Sequence, residues 1–312
     1  MSPVRHLYVH LPFCVHRCGY CDFVTSVGRE AEHRPYAEAL IAELEREGVV
    51  LAGRLDTVFV GGGTPTFMQP DALRSVLEAL PAADEVTVEA NPETVTPALA
   101  ALLREHGVNR ISLGAQTFEP ELLEVLERVA GPDDVRRAVH TLRDAGFDNI
   151  SLDLIYGIPG QSTDHLASDL AESLALQPEH LSAYELEAKP GTRFTHAHGA
   201  ELERQGEAME GYAERVVEAL EAAVKAFGAQ FVGTAGTGQR NISIDIQAAE
   251  FFQGKNPASR GDARTGYSRS SAGYGYGNSR SGGLTEDFRH FGFMVRNKHL
   301  VGMTLKAGCI FQ

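Results

Sequence analysis

Six short apolar runs, each closed by a turn-forming or polar residue and each followed by helical spacing, constrain this chain more than any other feature. The runs lie at 7–13, 57–60, 85–90, 110–114, 149–156 and 180–186. Val58, Phe59 and Val60 stand side by side, as expected of a strand buried on both faces. Between the runs, apolar residues recur every three or four positions, as Leu40, Ile41 and Leu44 do in a helix expected over 35–52. Further helices are expected at 70–80, 97–106, 120–129, 132–145, 163–176 and 205–227. Ser162 or Thr163 supplies an N-cap for the sixth of these seven helices. Strands alternating with helices make βα units and a parallel sheet. Right-handed crossovers curl such a sheet toward a barrel or leave it doubly wound.

In barrel folds of this kind, chemistry sits beyond the C-terminal tips of the strands. The tips here carry Cys14, Cys18 and Cys21, Gly61 to Thr64, Glu89, Gln116, Asp153 and Tyr184. Three of the four cysteines fall in eight residues with C-x3-C-x2-C spacing. Clustered thiolates select soft metals: iron–sulfur clusters, zinc or copper(I). An iron–sulfur cube usually takes four Cys, so three leave one iron open to a ligand that is not protein. Zinc would need a fourth ligand such as Cys309, His10 or His16, and zinc sites usually add a second cysteine pair that is missing here. Cys309 otherwise reads as an incidental thiol.

Gly61-Gly62-Gly63-Thr64 follows a strand, where glycine lets backbone amides press onto a ligand. It fits neither the P-loop nor the dinucleotide pattern. Glu89, Gln116 and Asp153 are polar groups in apolar strands, where an unpaired carboxylate is costly. Either they lie at water-facing ends or they hold a ligand. Arg128 follows an acidic helix.

The formal charge of −14 excludes a general nucleic-acid binder, whose phosphate contacts need a basic surface. No apolar run reaches 18 residues, so no membrane span is expected. The first residues lack the apolar stretch of a secretory leader, and the clustered thiols suit a reducing compartment, so a cytoplasmic location is expected. Charge is uneven: residues 227–312 hold 10 Lys+Arg against 5 Asp+Glu, and residues 1–226 hold 18 against 37. Those 86 C-terminal residues also carry 15 of the 32 glycines. The expected organisation is therefore a core over 1–226, an extension over 227–253, a Gly/Ser/Arg/Tyr-rich disordered segment over 254–283, and a final segment over 284–312. A strand and a short helix are expected in 229–252, and a strand pair in 288–311.

Together the motifs resemble the radical S-adenosylmethionine (SAM) superfamily. Cys14, Cys18, Tyr20 and Cys21 match its C-x3-C-x-Φ-C signature, and Gly61-Gly62-Gly63-Thr64-Pro65 resembles its glycine motif. The resemblance is closest to the branch holding the oxygen-independent coproporphyrinogen III oxidases and the HemW haem chaperones. It is carried by Tyr8-Val9-His10-Leu11-Pro12-Phe13-Cys14, Glu89-Ala90-Asn91-Pro92, Ser112 to Thr117 and Asp153 to Gln161.

This resemblance implies an incomplete parallel (β/α) barrel with a divergent tail. It implies a [4Fe–4S] cluster on Cys14, Cys18 and Cys21, with SAM chelating the open iron. SAM would then be cleaved by a cluster electron to methionine and a 5′-deoxyadenosyl radical. SAM contacts fall to Tyr8, Tyr20, Gly62, Gly63, Thr64, Glu89, Gln116, Arg128 and Asp153. The partners implied are haem or a porphyrinogen, an unspecified electron donor, and a respiratory protein that receives haem.

The oxidases carry an N-terminal extension and a further Cys two residues after the third. Here the extension is missing and that position is Phe23, which favours the chaperone; the oxidase is the alternative. A zinc- or cluster-binding module without catalysis is a third reading. The chaperones' haem pattern, His-Asn-x-x-Tyr-Trp, is absent: the chain has no Trp, and none of its 12 His precedes an Asn. The resemblance ends near Ala226. Beyond it, a diverged domain, a fused segment or a shifted reading frame would each give the observed switch in charge and glycine content.

Overall fold

The computed structural model describes residues 4–48, 53–186 and 191–208, two isolated helical positions at 218 and 222, and the backbone of four further strands between 229 and 304. Its strands are β1 (His6–Leu11), β2 (Phe13–Cys14), β3 (Ser26–Val27), β4 (Leu55–Gly62), β5 (Ala83–Ala90), β6 (Arg110–Gln116), β7 (Ile150–Tyr156) and β8 (His180–Glu185), followed by β9 (Ala229–Gly233), β10 (Asn241–Ala248), β11 (Phe291–Arg296) and β12 (His299–Thr304). Its helices are α1 (His33–Arg46), α2 (Pro70–Glu78), α3 (Pro97–Glu105), α4 (Pro120–Val125), α5 (Pro132–Asp144), α6 (Thr163–Ala175) and α7 (Arg193–Ala208).

All six apolar runs are strands. They lie side by side and parallel in the order β1-β4-β5-β6-β7-β8, with crossover helices between them. This is the α/β architecture with a parallel sheet expected from the alternation. Val58, Val60, Val88, Ile111, Leu152 and Leu181 are sealed from solvent at its centre. Burying each such side chain is worth about 1.5–3 kcal/mol. Pro70, Pro97, Pro120 and Pro132 each open a helix, where the missing N–H costs nothing. Ser162, rather than Thr163, caps α6, its side chain accepting from the His165 amide.

Three expectations need correction. The run at 7–13 is not a single strand: β1 ends at Leu11, and Phe13–Cys14 pairs in parallel with Ser26–Val27, a small sheet of its own. A helix begins at Arg193, not near Gln205, and the part of the expected helix beyond 208 lies outside the described residues save the two isolated positions. Among the described residues of 229–252 there are two strands, where a strand and a short helix are expected. β10 adds antiparallel to β8, and β9 to β10. The strand pair in 288–311 occurs as β11 and β12, with β11 antiparallel to β1. The segment 254–283 lies outside the described residues, as does Cys309.

Candidate functional site

Parallel strands present their C-terminal tips on one side, so residues far apart in sequence meet there. The Gly63 amide donates to Leu11 O at 2.8 Å, and the Thr64 amide to Phe13 O at 2.7 Å. The turn after β4 is thereby stitched to the approach to Cys14. A Cβ on Gly63 would stand 2.6 Å from Pro12 O and 2.7 Å from Phe13 O, so only glycine permits this approach. Thr64 Oγ1 then lies 3.6 Å from Cys14 Sγ and donates to it.

A second chain of contacts reaches Cys18. Asn91 Nδ2 donates to Thr64 Oγ1 at 3.1 Å, and Asn91 Oδ1 accepts from Arg128 Nη2 at 3.1 Å. Arg128 Nη2 also donates to Gly114 O at 3.0 Å, while Nη1 points at Cys18 Sγ from 3.7 Å. Arg128 Nε is buried and has no partner among the described residues. The Gln116 side chain folds back over Gly114, beside the same guanidinium. Tyr20 is hydrogen-bonded to Cys18, and burial drives its phenol pKa far up, with Arg128 opposing.

The carboxylates sit deeper. Gly62 N donates to Glu89 Oε2 at 3.0 Å. Burial pushes the Glu89 carboxyl up to about 7, against the pull of that amide, and the neighbouring Asp153 charge adds to the rise. Asp153 is also raised by burial, held back by hydrogen bonds from Ser112, at 2.6 Å, and Ser182. Tyr8 stacks on Phe59 at 6.0 Å between ring centroids, and its hydroxyl lies 3.2 Å from His10 Nδ1. His10 packs against Gly62, which ties Tyr8 to the glycine turn. Tyr184 is at the rim, half-exposed. Cys21 joins the group through its amide, which donates to Cys18 O at 3.1 Å.

The cysteine loop is also clasped from outside. Phe194 N donates to Gly19 O at 3.2 Å, and Arg193 Nη2 to Arg17 O at 2.8 Å. Arg193 also pairs with Glu127. The Glu127 carboxylate occupies the space that a side chain on Gly19 would take, 2.6 Å from its Cβ position. Asn91, Glu127 and Arg193 take part in these contacts, and sequence reasoning did not single them out. Only Asn91 left a signal, a strand-end amide before Pro92.

Burial pushes the Cys14 thiol up to about 11 and raises that of Cys21. Metal binding must displace those protons. Among the described residues, no three His, Cys, Asp or Glu side chains converge on a point that one ion could occupy. A cube asks for less convergence, because each thiolate sits on its own iron. Three soft donors beside a guanidinium whose buried Nε–H has no partner among the described residues fit a thiolate-held [4Fe–4S] cluster with a carboxylate-bearing ligand next to it.

The sequence profile of the radical SAM superfamily matches residues 8–172. The chain belongs to the radical SAM superfamily. Membership brings a [4Fe–4S] cluster and SAM as the cofactors of the family. This radical SAM chain is 39% identical over 200 residues to the haem chaperone HemW of Escherichia coli (strain K12), covering 62% of this chain and 53% of the relative. It is also 39% identical over 200 residues to HemW of Bacillus subtilis (strain 168), covering 61% and 52%. The coproporphyrinogen III oxidase (HemN) of Escherichia coli, solved as a radical SAM enzyme, superposes with a TM-score of 0.64 at 25% identity, covering 77% of this chain and 55% of that one. The chain thus spans about half the length of the curated relatives it matches. Among the described residues, no helix is long and apolar enough to cross a membrane.

Proposed function

We propose that this chain is the core of a HemW-like haem chaperone, holding a [4Fe–4S] cluster on Cys14, Cys18 and Cys21 and SAM beside it. The observation that carries the reading is the line Cys14–Thr64–Asn91–Arg128–Cys18, which places two cysteines at the ends of one hydrogen-bonded chain. Bound together, the cluster and SAM supply one-electron chemistry that the protein itself cannot. The protein binds, orients and shields. Gly62, Gly63 and Thr64 of the glycine turn, with Glu89, receive the polar end of SAM. Gln116 and Asp153 offer hydrogen-bonding groups from neighbouring tips. Tyr8 and Tyr20 close the sides, and Arg128 offsets the negative charge of the thiolates.

Phe23 favours a chaperone over an oxidase. It is 65% exposed just past Cys21, at the position where the oxidases resembled here carry a further cysteine. Haem is then the cargo and a respiratory haem protein its recipient, with the cytoplasm as the location. Coproporphyrinogen III oxidation is the second reading, supported by the likeness to the solved oxidase.

Anaerobic reconstitution with iron and sulfide tests the first level. The expected result is about four irons per chain, lost in Cys18→Ser and kept in Cys309→Ser. Zinc uptake without cluster absorption would defeat the reading. Haem titration, set beside incubation with reductant, SAM and coproporphyrinogen, tests the second level. Haem binding without protoporphyrinogen formation is expected. Protoporphyrinogen formation would replace the chaperone by the oxidase.

A further inference from the structure

Asp169 lies in the middle of α6, outside the set of proposed cofactor contacts, and only 1% of it is exposed. Its carboxylate accepts hydrogen bonds from two loops. From the turn after β6, Thr117 Oγ1 lies 2.9 Å from both oxygens, and Phe118 N donates to Oδ1 at 2.5 Å. From the loop after β7, Gln161 Nε2 donates to Oδ2 at 3.5 Å. Gln161 turns its own Oε1 back to accept from Gly157 N at 2.7 Å and Ile158 N at 3.3 Å. One buried group therefore fastens two neighbouring strand-end loops.

The first of those turns is strained. Gln116 has φ +65, a left-handed value that a residue with a side chain rarely adopts. Thr117 N donates to Ala115 O at 2.8 Å, which closes a three-residue turn of the rare positive-φ kind. The β6–β7 register also slips between Gly114 and Gln116. Such a conformation persists only where surrounding contacts over-determine it. The residues that follow Gln116 directly, Thr117 and Phe118, are the two that Asp169 holds.

We infer that Asp169 is a positioning residue that fixes the strained turn at Gln116 to the loop after β7, and so sets where Gln116 presents its amide to SAM. This rests on the reading that Gln116 contacts SAM. An apolar residue at 169 would leave the Phe118 amide and Thr117 hydroxyl buried without an acceptor. The turn would then relax toward ordinary backbone geometry, carrying the Gln116 side chain away from Gly114 and Arg128.

The test uses the reconstituted full chain and its Asp169→Asn, Gln116→Ala and double variants. SAM affinity is measured by equilibrium dialysis, alongside iron content and amide hydrogen exchange without SAM. Asp169→Asn is expected to keep its iron, weaken SAM binding about tenfold, the scale of an outer-shell partner, and speed exchange at Phe118, Gly157 and Ile158 together. The double variant is expected to bind no more weakly than Gln116→Ala alone, since Asp169 acts through Gln116. Thr117→Val, which removes one hydroxyl, should reproduce the weaker binding and stands in if Asp169→Asn does not fold. Unchanged SAM affinity in both single variants, or losses that multiply in the double variant, would overturn the inference. A wild-type chain that carries its iron yet binds no SAM would instead sink the SAM-site reading, and the role given to Asp169 with it.

Discussion

Arg128 Nη1 points at Cys18 Sγ from 3.7 Å, while Nη2 is anchored on Gly114 O at 3.0 Å. A fixed positive charge so close to a metal-bound thiolate favours the more negative, reduced state of a cluster held there. Arg128→Met is expected to lower the midpoint potential. A loss of about 1.4 kcal/mol of that attraction corresponds to roughly 60 mV for one electron. Redox titration followed by electron paramagnetic resonance reads the shift directly. Arg128→Lys keeps the charge but not the forked anchor, and should fall between the two.

Gly63→Ala tests the seam between the glycine turn and the cysteine loop. The added methyl meets two backbone carbonyls, at Pro12 and Phe13, and neither can rotate away. A destabilisation of about 1–3 kcal/mol is expected in urea unfolding. Iron content should drop as well, because the displaced segment leads straight into Cys14.

Glu89 gives the expected pH dependence. Burial raises its folded-state pKa from 4.5 to about 7. Between those values the folded chain keeps a proton that the unfolded chain has released. The contribution is therefore full below about pH 4.5 and is lost as pH climbs through 7, amounting to at most about 3 kcal/mol. Urea midpoints of the cofactor-free chain should fall across this window, and Glu89→Gln should flatten the fall. A cationic ligand such as SAM expels the same proton, so its affinity should rise from about pH 6 to about pH 8 in wild type and stay level in Glu89→Gln.

Ser162→Ala removes the cap that accepts the His165 amide at the start of α6. A loss of about 1 kcal/mol is expected in thermal unfolding. α6 also carries Asp169, so SAM binding by the reconstituted chain should weaken only when the helix start frays, a trend that grows with temperature.

The parallel core was legible because its strands are buried on both faces and so appear as unbroken apolar runs. Glu89 and Asp153 stood out against that background, since a carboxylate among Val, Leu and Ile needs a reason. Arg128 was not legible from pattern. It follows α4 through Glu127, whose φ of +56 turns the chain inward in a way that no residue type there announces. Nothing in the sequence pattern singles out Asp169 within its amphipathic helix. Its face is set by Leu166, Leu170 and Leu174, and both Asp169 and Ser173 lie beside that stripe rather than opposite it. α7 was missed at its start because its first turn offers no apolar residue except Phe194, which is 1% exposed.

The small parallel pairing of Phe13–Cys14 with Ser26–Val27 makes the cysteine segment a circuit that leaves the barrel and returns at one place. Pinning the two ends removes most of the conformational search that bringing three thiols together would otherwise require. It also separates two kinds of change. Outward-facing residues between Cys14 and Ser26, the exposed Val15, Phe23 and Val24 among them, can change without disturbing a strand of the main sheet. One barrel can thereby keep its cofactor chemistry while the face it turns to other molecules is rewritten.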